Sequence, residues 1–252
     1  MKNLFDLTDK TAIVTGSSRG LGQGICVALA EYGANVVGVS QSSSDETKRM
    51  VEEVGGKFVW VKADLTTLEA VETIVDTAKE NFGGVDILVN NAGTIRRADA
   101  LDYSEKDWDD ILNLNLKTAF FLSQRVAKEF LKQGKGGKIV NIASMLTFQG
   151  GIRVPAYTAS KSAIGGVTKA LANEWAKFGI NVNAIAPGYM ATDNTQALRA
   201  DEKRSEEILS RIPAGRWGTP EDLMGAVVFL SSMASDYVNG HILAVDGGWL
   251  AR

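Results

Sequence analysis

The 252-residue chain holds one cysteine, one histidine and four prolines. A lone Cys26 rules out an internal disulfide framework, and one cysteine with one histidine cannot make a Cys/His zinc site. No apolar run approaches the roughly 18 residues that would cross a bilayer. The opening MKNLFDLTDK lacks the uninterrupted apolar stretch of a secretory signal. An excess of either charge is missing too: 27 Lys and Arg stand against 30 Asp and Glu, a net charge of −3. That balance gives no electrostatic ground for nucleic acid or an anionic membrane as partner. Linkers rich in Pro or Ser, charge blocks and internal repeats are all absent, so one domain over 1–252 is expected. With 45% apolar and 23% charged residues, the expectation is a reduced, cytoplasmic, globular protein.

What the chain does have is alternation. Short runs dense in Val and Ile are separated by longer amphipathic stretches: TAIVT (11–15), NVVGVS (35–40), KFVWVKA (57–63), DILVN (86–90), KIVNIA (138–143), INVNAIA (180–186) and HILAVD (241–246). Near-continuous apolar runs belong to parallel strands covered on both faces. The implied fold is α/β: a single Rossmann-type, doubly wound parallel sheet of about seven strands with helices on both faces. Ser104-Glu-Lys-Asp107 and Thr219-Pro-Glu-Asp222 read as capping boxes that start two of the helices.

The first run passes straight into Thr15-Gly16-Ser17-Ser18-Arg19-Gly20-Leu21-Gly22, and a helical pattern follows. Glycines let a backbone approach a pyrophosphate, and the N–H groups of a helix start meet its charge. Two further stretches fall at strand ends, where ligands of such sheets collect. They are Asp64-Leu65, with an acid placed to accept from an adenine amino group, and Asn91-Ala92-Gly93, whose small residues admit a ribose. The end of the second strand reads Ser40-Gln41-Ser42, with neither acid nor base. Ser40 and Gln41 are suited to a bare ribose and favour NAD, while Arg19 leaves NADP open through pairing with a 2′-phosphate.

Tyr157 and Lys161 are four apart, one turn of a helix on one face. A phenol is a poor base near neutrality, and an adjacent ammonium favours phenolate. Ser144, just after a strand, is placed to bond the same substrate oxygen.

The glycine loop, Asn90-Asn91-Ala92-Gly93, Asn115, Ser144, Tyr157-x-x-x-Lys161 and Pro187-Gly188-x-x-x-Thr192 resemble, in order and spacing, the short-chain dehydrogenase/reductase family from about residue 11 to 248. The resemblance implies Tyr157 as acid/base, Lys161 as the group that lowers its pKa and holds the nicotinamide ribose, and Ser144 as the orienter of the carbonyl. It implies a water-linked proton relay at Asn115, and Pro187, Gly188, Met190 and Thr192 beside the nicotinamide. Stretches such as GTIRRADAL, APGYMATDNTQALRAD and AVDGGWLAR are similar to members that act on six-carbon keto sugar acids in the breakdown of uronate polymers. It also implies a homotetramer built through the helices bearing Phe120 and Tyr157. Rivals are a gluconate dehydrogenase or 3-oxoacyl thioester reductase of the same fold, and a catalytically silent dinucleotide-binding regulator.

A sugar acid brings a carboxylate, for which a planar guanidinium is an apt partner. Arg96 and Arg153 are the expected handles, Arg97 lies beside them, and Gln149 and Thr195 are expected hydroxyl partners. Residues 193–212 form a candidate lid. His241 and Cys26 read as structural, and Trp108, Ile111, Leu112, Phe120 and Phe121 as core or subunit contact.

Overall fold

Strands form where the Val and Ile runs are densest. They are β1 (Thr11–Thr15), β2 (Asn35–Ser40), β3 (Phe58–Lys62), β4 (Ile87–Asn90), β5 (Gly137–Ile142), β6 (Ile180–Pro187) and β7 (Ile242–Val245). The computed structural model describes residues 3–252, the side chain of Asn194 excepted. All seven strands are parallel, in the order β3-β2-β1-β4-β5-β6-β7. Expected and observed boundaries differ by a residue at most, because hydrogen bonding stops one residue before or after the apolar run does.

Alternate side chains of each strand feed opposite cores. Ala12 and Val14 of β1 pack with Ile25 and Leu29 of α1 (Gly20–Glu31) and with Val227 of α9 (Glu221–Ser231). Ile13, between them, joins Ile74 of α3 (Val71–Phe82), Leu122 and Phe130 of α5 (Thr118–Lys132) and Leu171 of α6 (Pro155–Trp175). Both faces of the sheet are therefore dry, as a parallel sheet requires. The strand order reverses between β1 and β4, and that reversal opens a crevice at the carboxyl ends of the strands.

Ser104 caps α4 (Glu105–Leu112) by accepting from Asp107 N at 3.1 Å, and its hydroxyl donates to the Asp107 carboxylate. At the other expected box the Asp222 carboxylate accepts from Thr219 N at 2.8 Å. It also takes two bonds from Arg216, at 2.6 and 2.7 Å, and the arginine holds it far below the usual carboxylate range. Between α4 and α5 the chain widens into one π turn over Asn113–Lys117. Of its expected core residues, Ile111 is fully buried, whereas Trp108 and Phe121 remain exposed. Cys26 is fully buried and burial pushes its thiol pKa up, which leaves it an inert apolar filler. Among the described residues no helix is long and apolar enough to cross a membrane.

Leu88 sits in β4 between Ile13 and Ile139 and has no exposure. Leu88→Ala should lower the unfolding free energy by about 2–5 kcal/mol, seen as a lower urea midpoint at unchanged slope.

Candidate active site

The crevice begins at the glycine loop. Gly16 and Gly20 carry φ of +71° and +57°, left-handed values that L side chains rarely adopt. A Cβ at Gly22 would stand 2.0 Å from the Gly16 carbonyl oxygen, so the loop closes on itself only with glycine there. Helix α1 follows with no side chain capping its first turn, which leaves its leading N–H groups to an anion. The loop is fastened to the neighbouring strand by Thr15 and Asn91. Thr15 Oγ1 accepts from Asn91 N at 3.0 Å and Ala92 N at 2.9 Å, and Asn91 Nδ2 donates to the Thr15 and Gly16 carbonyls. Asn91 thus borders the crevice, yet its side-chain amide holds the loop.

At the end of β2 the structure revises the part expected of Ser40. Its hydroxyl donates to Ser42 O at 2.7 Å, accepts from Trp60 Nε1 at 3.0 Å and lies 2.8 Å from Ser44 Oγ. Ser44 in turn bonds Ser17 of the glycine loop at 3.0 Å. This buried hydroxyl cluster ties loop to strand and uses up the Ser40 hydroxyl that a ribose would need. Gln41 and Ser42 stay exposed at the rim. Arg19 is drawn across the crevice to Asp193, at 3.2 Å. Asp64 Oδ1 accepts from Thr66 N and Oγ1, the backbone bond contributing most to holding its carboxyl below the usual range.

At the opposite end stand Ser144, Tyr157 and Lys161. Ser144 follows β5 and caps a short 3₁₀ turn, accepting from Leu146 N at 3.2 Å. Thr147 locks that turn onto α6: its hydroxyl accepts from Ser144 N and donates to the Lys161 carbonyl at 2.8 Å. Lys161 is buried, and Nζ donates to Ile142 O at 2.6 Å and sits 5.7 Å from the centroid of the Tyr157 ring. Burial pulls its pKa down to about 8, so it remains an ammonium at neutral pH. Burial raises the Tyr157 phenol above its ordinary value; a hydrogen bond with the Ser144 hydroxyl and the charge of Arg97 both act to lower it.

Asn115 lies inside the π turn and does not border the crevice. Its Oδ1 accepts from Thr94 N at 2.9 Å, and Nδ2 donates to Thr94 O and to Ser160 Oγ. Both ends of the amide are thereby engaged, so the side chain braces the loop after β4 against α6. A π turn puts one residue out of helical register, which is how Asn115 reaches both.

The two arginines expected to meet a carboxylate are turned elsewhere. Arg96 pairs with Asp107 at 3.7 Å and Arg153 with Asp99 at 3.2 Å, and neither borders the crevice. Arg153 has φ +62°, and its carbonyl accepts from Ala98 N, which zips the two loops together. It is Arg97 whose charge reaches the phenol. Gln149 is also outside the crevice and accepts from Trp249 Nε1 at 3.2 Å. Thr195 does border it, with its hydroxyl donating to the Met190 carbonyl at 2.5 Å.

One crevice of about 440 Å³ runs between these two ends, in the size range of cofactor sites. Every residue expected to touch a dinucleotide borders it: Gly16, Ser18, Arg19, Gly20, Leu21 and Gly22 at the loop, Ser40, Gln41, Asp64 and Leu65 at one end, Asn91, Ala92 and Gly93 in the middle, and Tyr157, Lys161, Pro187, Gly188, Met190 and Thr192 at the other. Sequence reasoning passed over Ser42, Thr66, Thr94 and Asp193, which border it as well; they sit next to residues it named, and adjacency was the available signal. The residues present fit a nicotinamide dinucleotide, with a glycine cradle that any Cβ would fill and an uncapped helix start for the diphosphate.

Fold and site together define a dinucleotide-dependent oxidoreductase. A family described as enoyl-(acyl carrier protein) reductase matches residues 16–250; the chain belongs to that family, within the short-chain dehydrogenases/reductases. It is 63% identical, over 99% of both chains, to 2-dehydro-3-deoxy-D-gluconate 5-dehydrogenase of Dickeya dadantii (strain 3937). A crystal structure from Agrobacterium tumefaciens with bound NADP, provisionally described as a 2-deoxy-D-gluconate 3-dehydrogenase, is 56% identical with a TM-score of 0.95 over 100% of both chains. A gluconate 5-dehydrogenase of Burkholderia cenocepacia J2315, in complex with NADP and tartrate, is 36% identical with a TM-score of 0.93, covering 99% of this chain and 98% of the other.

Arg97 lowers the Tyr157 pKa, so removing its charge should raise it. Arg97→Ala should move the rising limb of kcat/KM for alcohol oxidation to higher pH, because phenolate is the base in that direction. Arg97→Lys should keep the limb in place; a pH–rate profile of the three proteins reads this directly.

Proposed function

We propose that this chain transfers hydride between a nicotinamide dinucleotide and the keto or hydroxy group of a six-carbon sugar acid, as a 2-dehydro-3-deoxy-D-gluconate 5-dehydrogenase. The observation that carries the reading is one crevice joining the glycine loop to Ser144, Tyr157 and Lys161, with the charge of Arg97 reaching the phenol at that end. A carboxylate-bearing substrate has use for that charge, and a neutral alcohol has none. The relative at 63% identity bears that activity in its name.

In the reducing direction Tyr157 gives its phenolic proton to the carbonyl oxygen, and Ser144 donates to the same oxygen and orients it. Lys161, an ammonium at neutral pH, favours the phenolate left behind and is placed to hold the ribose. The bound dinucleotide supplies the hydride and, when oxidised, a positive ring beside the phenol. Asn115 serves as a brace; its side chain is committed to Thr94 and Ser160, so a water relay at this position would have to use its main-chain carbonyl. Arg97, whose charge reaches the phenol, stands with Arg96 and Arg153 as a cation for the substrate carboxylate.

NADP is the favoured cofactor under this reading, with NAD also accepted. Arg19 borders the crevice as a cation suited to a 2′-phosphate, and two solved relatives hold NADP. Residues 193–212 act as a lid: Asp193 reaches Arg19, while Ile208 and Ile212 of this segment pack on Met145 beside Ser144. The assembly is a homotetramer in the cytoplasm, a reading supported by the exposed Trp108 and Phe121 on the α4–α5 unit. A thioester reductase would need a basic surface for an acidic carrier, which a net charge of −3 does not favour.

Gluconate, 2-deoxygluconate and 2-keto-3-deoxygluconate with NAD and NADP, followed at the reduced-nicotinamide absorbance, test the substrate. Turnover of the 3-deoxy acid is expected; saturable cofactor binding with no turnover of any acid would favour the silent regulator. Tyr157→Phe should lower kcat by two or more orders of magnitude, about the worth of a positioned general acid, with cofactor affinity nearly unchanged. Asp193→Asn should lower KM for NADP relative to NAD a few-fold, since an exposed ion pair is worth only about 0–1 kcal/mol.

A further inference from the structure

Ser144 and Tyr157 reach the crevice end on different supports. Ser144 stands where β5 ends, and Tyr157 stands in the first turn of α6. For a hydroxyl and a phenol to share one substrate oxygen, strand end and helix must be held to within about 0.5 Å of each other's proper place. Lys161 provides much of this hold, from both of its ends. Its Nζ donates to Ile142 O at 2.6 Å, before Ser144 in the chain, and its main-chain carbonyl accepts from Thr147 Oγ1 at 2.8 Å, after Ser144. Ser144 is thereby bracketed by two bonds to one residue of α6. A third bond, from Ser162 Oγ to Leu146 O at 3.1 Å, ties the same turn to the neighbouring helix position.

Within the bracket Thr147 makes two bonds with one hydroxyl. A hydroxyl has a single proton to give. Here it goes to the Lys161 carbonyl, and the oxygen accepts from Ser144 N at 3.3 Å, so the main chain of Ser144 hangs directly from α6. The Ser144 side chain has its polarity set as well. Its Oγ accepts from Leu146 N at 3.2 Å, which leaves its proton to be donated at the crevice end, where it meets the phenol. The helix makes room for this arrangement. Gly165, one turn beyond Lys161, is buried, and a Cβ there would stand 2.6 Å from Thr147 Cγ2. Glycine at that position lets α6 lie close enough for the Thr147 hydroxyl to reach the Lys161 carbonyl.

We propose that Thr147 is a positioning residue for the hydride-transfer reaction: its hydroxyl holds Ser144 in register with Tyr157 and Lys161, so that the two oxygens meeting the substrate carbonyl act together. The proposal rests on the reading of Tyr157 as acid/base and deepens it. Thr147 does not border the crevice, so it acts through Ser144. The hydroxyl carries the role, and the methyl only fills the space that Gly165 leaves.

Thr147→Val keeps the shape and removes the hydroxyl, whereas Thr147→Ser keeps the hydroxyl and removes the methyl. With the 3-deoxy acid and NADP at saturation, Thr147→Val should lower kcat about ten- to a hundred-fold, as expected when a reacting group is displaced by about 1 Å. Thr147→Ser should stay within about three-fold of wild type, and the NADP Kd of both, from titration of tryptophan fluorescence, should change by no more than about that factor. The rising limb of kcat/KM for alcohol oxidation should move to higher pH in Thr147→Val and not in Thr147→Ser. The Ser144 bond lowers the Tyr157 pKa, while the charges that face the phenol, Lys161 on α6 and Arg97 after β4, are the same in every variant. Thermal midpoints check folding, and Thr147→Ala, which adds no atom, takes the place of Thr147→Val if that variant melts below the assay temperature. A kcat within about two-fold of wild type without the hydroxyl, a loss in Thr147→Ser as large as in Thr147→Val, or a loss matched by an equal rise in NADP Kd overturns the proposal. A wild type that turns over none of the acids, or a Tyr157→Phe variant that keeps its rate, overturns the reading beneath the proposal, and the proposal with it.

Discussion

Neighbouring strands β1 and β4 are tied at their tips by one hydroxyl and one amide. Thr15 Oγ1, at the tip of β1, takes the N–H groups of Asn91 and Ala92 at the tip of β4, and Asn91 returns a bond to the Thr15 carbonyl. The strand order reverses here, so the helices that follow leave toward opposite faces and the crevice opens between them. Were the two tips free to splay, the glycine loop and the Ser144–Tyr157 end would lose their common frame. Everything that acts on a dinucleotide in this protein is measured from that stitch.

From it the site is built outward by buried polar groups whose bonds are fully allotted. Ser17, Ser40 and Ser44 share one hydroxyl cluster, Asn115 spends its amide on Thr94 and Ser160, and Thr147 joins the Ser144 turn to the Lys161 carbonyl. Such groups are costly to leave unpaired and stiff once paired. The consequence is a division of labour. Side chains that position are saturated within the protein, while Tyr157 and Lys161 carry pKa values displaced by burial and wait for charge from outside the chain.

The same logic separates three neighbouring arginines that sequence cannot tell apart. Arg96 pairs with Asp107 of α4, and Arg153, after β5, with Asp99, after β4. Arg97, one residue along, projects its field onto the phenol. Which guanidinium pairs with which aspartate is beyond the reach of spacing, since ion pairing between segments is a property of their packing.

Periodicity was enough for the architecture: seven Val- and Ile-rich runs, each continuous because both faces of a parallel sheet are dry, gave strands correct to within a residue. The glycine loop and Tyr157-x-x-x-Lys161 were equally plain, because a close backbone approach admits only glycine and one helical face fixes a four-residue spacing. What sequence left open were the contacts whose partners are distant. Ser40 looks free for a ribose in sequence because the Trp60 and Ser44 that claim its hydroxyl arrive from other elements. That the Asn115 side chain braces Thr94 against Ser160 depends on the π turn where α4 meets α5. The partner of Gln149 is invisible in sequence because Trp249 reaches it from the far end of the chain. Local chemistry is written in neighbouring letters; the allotment of each donor and acceptor is settled only when remote segments compete for it in three dimensions.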